Sequence, residues 1–151
     1  MNKKINVKIK KFEHFANPCE LKYATEFSSG LDLIASIDED MIINPLERIL
    51  VPTGISIQMP RGFEGQVRSR SGLALKNGIS VLNSPGTIDN DYRGEIKVIL
   101  INLGYEAFTI SRGMKIAQLV FCEFHQGNLE YIEDLDNSHR GEGGFGSTGT
   151  H

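Results

Sequence analysis

Hydrophobic positions along the chain recur mostly at every second residue. Ile5, Val7 and Ile9 alternate with polar neighbours, and so do Ile55, Ile57 and Met59 between Thr53 and Pro60. Each run predicts a strand with one buried face. Ile96, Val98 and Leu100 point one way in an extended chain while Ile99 and Ile101 point the other, so this segment predicts a strand buried on both faces. Met114 to Phe121 is a further apolar strand. Turn formers separate the runs at short intervals: Asn17-Pro18, Asn44-Pro45, Val51-Pro52-Thr53-Gly54, Pro60-Arg61-Gly62, Asn77-Gly78, Ser84-Pro85-Gly86, Leu103-Gly104 and Arg112-Gly113. Many short strands spaced this way predict a closed barrel or jelly roll. One helix is predicted, Gly72 to Lys76 with Ser71 as its N-cap, about one and a half turns long. The expected fold is all-β: a distorted, jelly-roll or β-barrel-like subunit with one short helix. From Asn137 the composition shifts to glycine and small polar residues. The expected division is therefore a β domain over 1–136 and a flexible glycine-rich arm over 137–151.

With 151 residues the chain is one domain by size and can bury a core. Its net charge of -3 carries no basic excess, so neither nucleic acid nor a membrane surface is an expected partner. No apolar run approaches the length of a membrane span, and the alternating N-terminus lacks the continuous apolar stretch of a signal peptide. Cys19 and Cys122 are isolated and fit reduced packing thiols in a cytoplasmic protein. His14, His125, His139 and His151 are scattered, and no zinc-deaminase pattern surrounds them.

Five stretches concentrate chemistry. The segment Arg140-Gly141-Glu142-Gly143-Gly144-Phe145-Gly146-Ser147-Thr148-Gly149 holds five glycines, one cation, two hydroxyls and one ring. Glycines let backbone N–H groups converge on an anion, and Arg140 suits phosphate oxygens. Such a strip could close over a phosphorylated ligand with a planar base; a frayed terminus fits the same composition. Arg68-Ser69-Arg70-Ser71-Gly72 places Arg70 and a hydroxyl at the start of the short helix, where a phosphate is favoured, or else is a plain capped helix with solvated arginines. Gly86-Thr87-Ile88-Asp89-Asn90-Asp91-Tyr92-Arg93-Gly94-Glu95 packs carboxylates, a ring and an arginine into a turn. Asp89 could hold a water as general base there, and a polar turn would look similar. Asp32 lies between Leu31 and Leu33 in a strand pattern, either outward or held for a metal or a cation. Gln118 is the one uncharged polar residue in its apolar run, a ligand contact or an outer-face residue.

Taken in order, these five stretches resemble the five motifs of the trimeric deoxyuridine triphosphate nucleotidohydrolases, the dUTPases. The resemblance runs from Ser29 to Gly149, about four-fifths of the chain. It implies a jelly-roll-like subunit, a homotrimer with sites shared between subunits, and hydrolysis of dUTP to dUMP and pyrophosphate with Mg²⁺. Such a reaction limits uracil incorporation into DNA and supplies dUMP for thymidylate synthesis. Carried over by position, Asp89 matches the aspartate that positions the attacking water and Tyr92 the tyrosine packed under the deoxyribose. Asn83 and the hairpin backbone from about Gly78 to Ile88 match the uracil-reading element. Arg70, Ser71 and Gly72 match phosphate contacts lent by a neighbouring subunit, Gln118 a further phosphate-side contact, and Asp32 an acid that reaches the metal through water. Arg140, Phe145, Gly146, Ser147 and Thr148 match the arm that closes over the nucleotide. Three positions depart from the family pattern. Ser69 stands where proline is usual, Ser29 where alanine is commoner, and Met114-Lys115 where Asp-Arg is usual. The related dCTP deaminases carry a glutamate in a Leu-Glu-Leu-x-Asn strand; here Ile99 holds that position, in Val98-Ile99-Leu100-Ile101-Asn102. A catalytically idle binding protein would not need Asp89, Tyr92 and the arm together, and a capsid-like jelly roll would need none of them.

Overall fold

The structure is a computed structural model and describes residues 4–144. Eleven strands and one helix follow each other in these residues: β1 (Lys8–Lys11), β2 (Leu31–Ile34), β3 (Met41–Ile43), β4 (Arg48–Pro52), β5 (Ile55–Gln58), β6 (Phe63–Arg68), α1 (Ser71–Asn77), β7 (Ile79–Val81), β8 (Gly86–Ile88), β9 (Lys97–Asn102), β10 (Phe108–Ile110) and β11 (Lys115–Glu123). They form four antiparallel sheets, in the orders β2-β11-β6-β8, β4-β9-β7, β1-β5 and β10-β3. Neighbours in space are mostly distant in sequence, the mark of a jelly-roll-like wrap. Leu33, Ile43, Ile55, Val98, Leu100, Ile116 and Leu119, each at most 1% exposed, form the centre of one core between the sheets.

Glycine supplies the left-handed backbone that the turns require. Gly54, Gly62, Gly78 and Gly113 have φ between 67° and 85°, each at a predicted turn. Gly78 also caps α1, its N–H reaching the Leu73 and Ala74 carbonyls, and the turn at Gly104 packs directly on it.

Four expectations are corrected. The helix starts one residue earlier than expected, with Arg70 rather than Ser71 as N-cap (φ -90°, ψ 125°) and no side-chain cap bond. The Arg70 carbonyl already takes the first helical hydrogen bond, from the Ala74 N–H at 3.0 Å. The first strand is an edge strand rather than a half-buried one. All four of its residues are exposed, Ile9 at 42%, because β1 pairs with β5 alone. Ile5 and Val7 are half-buried just before it. Strand β9 is buried on only one face within a single chain: Val98 and Leu100 are inside, while Ile99 and Ile101 are half-covered. Finally, the stretch from Gly78 to Ile88 is not a hairpin. Strand β7 pairs with β9 and β8 pairs with β6, so this segment crosses from one sheet to another. Beyond Glu123 the described chain has no regular secondary structure.

Candidate functional site

Two sheets meet at a cavity of about 330 Å³, lined by Asn83, Gly86, Ile88, Asp89, Tyr92 and Glu95, with Val67, Val81, Leu50 and Ile99 as its apolar wall. Both sheets contribute because the Gly78–Ile88 stretch crosses between them. Gly86 permits the approach of Asn83: a Cβ there would lie 3.2 Å from the Asn83 amide nitrogen. Asp89 is exposed at the cavity's edge, just past the end of β8. Its carbonyl accepts the Tyr92 N–H at 3.1 Å. Asn90 pins the turn by donating to the Pro60 and Phe63 carbonyls at 2.7 and 2.9 Å. Arg93 closes it by donating to the Asn90 and Tyr92 carbonyls. The turn is thus fixed by its own polar groups, which holds the Asp89 carboxylate free of any protein hydrogen bond among the described residues. Asp89 also faces a second opening, lined by Glu64, Asp91, Phe124, His125 and Gln126, where the chain passes on leaving β11.

A separate cleft of about 540 Å³ holds the other predicted residues: Asp32, Arg70, Ser71, Gly72 and Gln118, with Ser28, Ser29 and Phe27. Strand register aligns them, since Gln118 on β11 lies opposite Asp32 on β2 and Arg68 on β6. The Asp32 carboxylate lies between two cations. Arg70 Nε is 3.1 Å from one oxygen and Lys115 Nζ 2.7 Å from the other. Lys115 stands where the family pattern has arginine, so a cation beside Asp32 is kept. Gln118 donates from Nε2 to the Ser69 carbonyl at 2.9 Å. Gly30 leaves room for that side chain; a Cβ there would overlap the Gln118 amide.

Ser69, the second departure, does work that proline could not. Its hydroxyl accepts the Val81 N–H at 2.9 Å and pairs with the Ser80 hydroxyl at 2.9 Å. The loop carrying Arg70 is therefore tied to β7 by its side chain and to β11 by its carbonyl. Sequence reading did not single out Gly30, the tie made by Ser69, or Lys115 as a partner of Asp32. Only the general signal of glycine beside a strand was available for the first.

Every predicted site residue among the described residues except Arg140 falls in one of these two cavities, and no residue lines both. Arg140 is exposed and donates from Nε to the Gly143 carbonyl at 2.7 Å. Phe145, Gly146, Ser147 and Thr148 lie outside the described residues. Among the described residues no group of three His, Cys, Asp or Glu side chains is placed to hold a metal ion. With both Asp32 oxygens on cations, the donor set suits a hard cation that arrives on phosphates and keeps its waters, and does not suit a protein-held metal.

A jelly-roll-like β chain with a cavity of nucleoside size and a separate cationic, hydroxyl-lined cleft has the parts of a nucleotide-handling enzyme subunit. A family model described as dUTPase matches residues 19–149. The chain is 55% identical to the deoxyuridine 5'-triphosphate nucleotidohydrolase of Wolbachia pipientis subsp. Culex pipiens, covering 97% of each chain. It is also 55% identical to the Rickettsia felis enzyme of the same name, covering 95% of this chain and 96% of the relative. The chain belongs to the dUTPase family. Solved structures agree on the fold. A Staphylococcus bacteriophage 80alpha dUTPase variant with dUpNHpp superposes with a TM-score of 0.84 at 22% identity, covering 96% of this chain and 99% of that one. A phage phi11 dUTPase variant, described as revealing the coordination of a structural Mg(II) ion, superposes at 0.75 with 20% identity, covering 85% and 97%.

Proposed function

We propose that this protein hydrolyses dUTP to dUMP and pyrophosphate by attack of water on the α-phosphorus, in sites shared between the subunits of a homotrimer. One observation supports this reading beyond family membership: the proposed nucleoside-facing residues and the proposed phosphate-facing residues line two different cavities of one chain, as expected if a second copy completes each site. The half-covered Ile99 and Ile101, with Leu50 opposite Ile99 at 52% exposure, form an apolar stripe that such an assembly would cover.

In this reading Asn83 and the backbone up to Ile88 receive uracil, and Tyr92 lies under the deoxyribose. Asp89 holds the attacking water and takes its proton on the carboxylate. Arg70, Ser71, Gly72 and Gln118 of a neighbouring subunit hold the phosphates and offset the charge on the departing pyrophosphate. Mg²⁺, when bound, neutralises phosphate oxygens, and Asp32 would meet it through a coordinated water. The arm over 137–151 closes over the nucleotide, with Arg140, Ser147 and Thr148 at the terminal phosphate and Phe145 and Gly146 over the base. The reading places the protein in the cytoplasm, needing neither nucleic acid nor membrane. Ile99, where the deaminases carry glutamate, lines the nucleoside cavity and has no proton to give or take, which disfavours deamination.

The test is Asp89→Asn. Asparagine keeps the shape and removes the proton acceptor, so turnover should fall about a hundredfold or more. Binding of a non-hydrolysable dUTP analogue should persist. Near-wild-type turnover would remove Asp89 from the mechanism.

A further inference from the structure

Among the described residues Tyr92 is the one aromatic residue lining the nucleoside cavity, and its orientation is set by its neighbours. The ring folds back over Gly94, where a Cβ would lie 2.6 Å from the ring carbon that bears the hydroxyl. The hydroxyl donates to the Glu95 carbonyl at 3.0 Å. The ring therefore goes where the backbone of residues 94–95 goes. That backbone is held after it by the Ile96 N–H, which donates to the Ile55 carbonyl at 2.8 Å, and beside it by the Glu95 side chain, whose second oxygen lies 3.8 Å from Lys97 Nζ. One carboxylate oxygen accepts the Gly54 N–H at 2.8 Å and the His14 Nε2–H at 2.7 Å. The Glu95 side chain is only 13% exposed. His14 is itself fixed: its carbonyl accepts from Arg112 at 3.1 Å, and its ring stacks on Phe12 with centroids 5.8 Å apart. The Phe12 N–H returns to the Gly54 carbonyl at 2.8 Å. Gly54, at φ 68°, lets this loop seat closely, since a Cβ there would lie 2.8 Å from the Phe15 Cα.

From this geometry we infer that His14 and Glu95 are positioning residues for Tyr92: a clasp between the N-terminal loop and the nucleoside cavity that sets discrimination against nucleotides bearing a 2'-hydroxyl. His14 lies before residue 19, where the match to the family model begins, so the clasp joins a segment outside that match to the site. The inference rests on Tyr92 being the sugar platform. A ring tethered by its hydroxyl cannot yield to an extra oxygen on the sugar, whereas a ring whose tether has lost its anchor can. The quantity that reports the clasp is thus the ratio of kcat/KM for dUTP to that for UTP.

The experiment measures this ratio in the full-length protein and in His14→Ala, Glu95→Gln, Tyr92→Ala and His14→Ala/Tyr92→Ala, each checked for folding by circular dichroism. His14→Ala should lower the ratio about threefold to tenfold, the range set by one lost hydrogen bond, and Glu95→Gln, whose amide oxygen can still accept from Gly54 and His14, should lower it less. Tyr92→Ala should lower it further, and His14→Ala should then add nothing, because it acts through the ring. Equal losses for both substrates in His14→Ala, with the ratio unchanged, would make the clasp merely structural and overturn the inference even if Glu95→Gln fails to fold. A ratio unchanged in Tyr92→Ala would instead remove the platform reading itself, and the clasp with it.

Discussion

Two variants that are each inactive, Asp89→Asn and Arg70→Ala, should regain activity when their subunits are mixed. Strand register explains why. On β6, Ile88 of β8 lies opposite Gly65, and Gln118 of β11 lies opposite Arg68. Asp89 continues one position beyond Ile88 and Arg70 two positions beyond Arg68, in opposite directions along the same strand. Counted along β6, six strand positions separate them, or about 20 Å at strand rise. That is more than the reach from the α- to the γ-phosphate of one nucleotide, as expected if the two residues serve different sites. A composite site is active only when its Asp89 half comes from an Arg70→Ala subunit and its Arg70 half from an Asp89→Asn subunit. Random equal mixing gives each condition half the time, so about a quarter of wild-type activity should return. The assay is pyrophosphate release after the two variants are co-refolded, with one variant tagged so that native mass spectrometry counts mixed trimers. Mixed oligomers with no activity above either parent would place both halves in one subunit and refute the argument, and a monomeric mass at micromolar concentration would do so sooner.

Two further perturbations probe separate parts of the account. Ser69→Ala leaves the N–H of the buried Val81 without its acceptor, which costs about 1–3 kcal/mol and should lower Tm by roughly 2–12 °C; an unchanged melting curve would show that the hydroxyl is not what holds the phosphate loop. Removing the chain from Ser138 onward should leave Tm nearly unchanged and cripple turnover, as should Phe145→Ala for turnover, since an arm rich in glycine contributes to closure over ligand and little to the core; a large fall in Tm, or full activity, would make the tail structural or idle.

Much of this architecture was legible in the sequence because alternation and turn chemistry are local properties. The strands containing Ile55–Ile57, Val98–Ile101 and Ile116–Phe121, and the glycine turns at Gly54, Gly62 and Gly113, follow from spacing alone. Pairing is not local. Nothing within Gly78–Ile88 says that β7 joins β9 while β8 joins β6; the hairpin is what the family resemblance implies, and a sheet crossing is what forms. Three-residue strands such as β3 and β10 are too short to show a period. The division of the site residues between two cavities is likewise a matter of register, which places Gln118 beside Asp32 and away from Asp89 although the motifs read as one series. The tie made by Ser69 shows the limit from the other side. A serine in place of the usual proline reads as a loss of stiffness, yet its hydroxyl anchors the loop to a strand twelve residues away in sequence.

The central claim, that the nucleoside cavity serves dUTP and that the chemistry is pyrophosphate release, is tested most directly by one comparison. The full-length protein is assayed side by side with dUTP, dTTP, dCTP and UTP in the presence of Mg²⁺, following pyrophosphate and the nucleoside monophosphate together. The account predicts stoichiometric dUMP and pyrophosphate from dUTP, with a kcat/KM at least about a hundredfold above each of the other three, the scale on which steric fit alone rejects an analogue one methyl or hydroxyl larger. Comparable turnover of dCTP or UTP, ammonia in place of pyrophosphate, or no product from dUTP would contradict it.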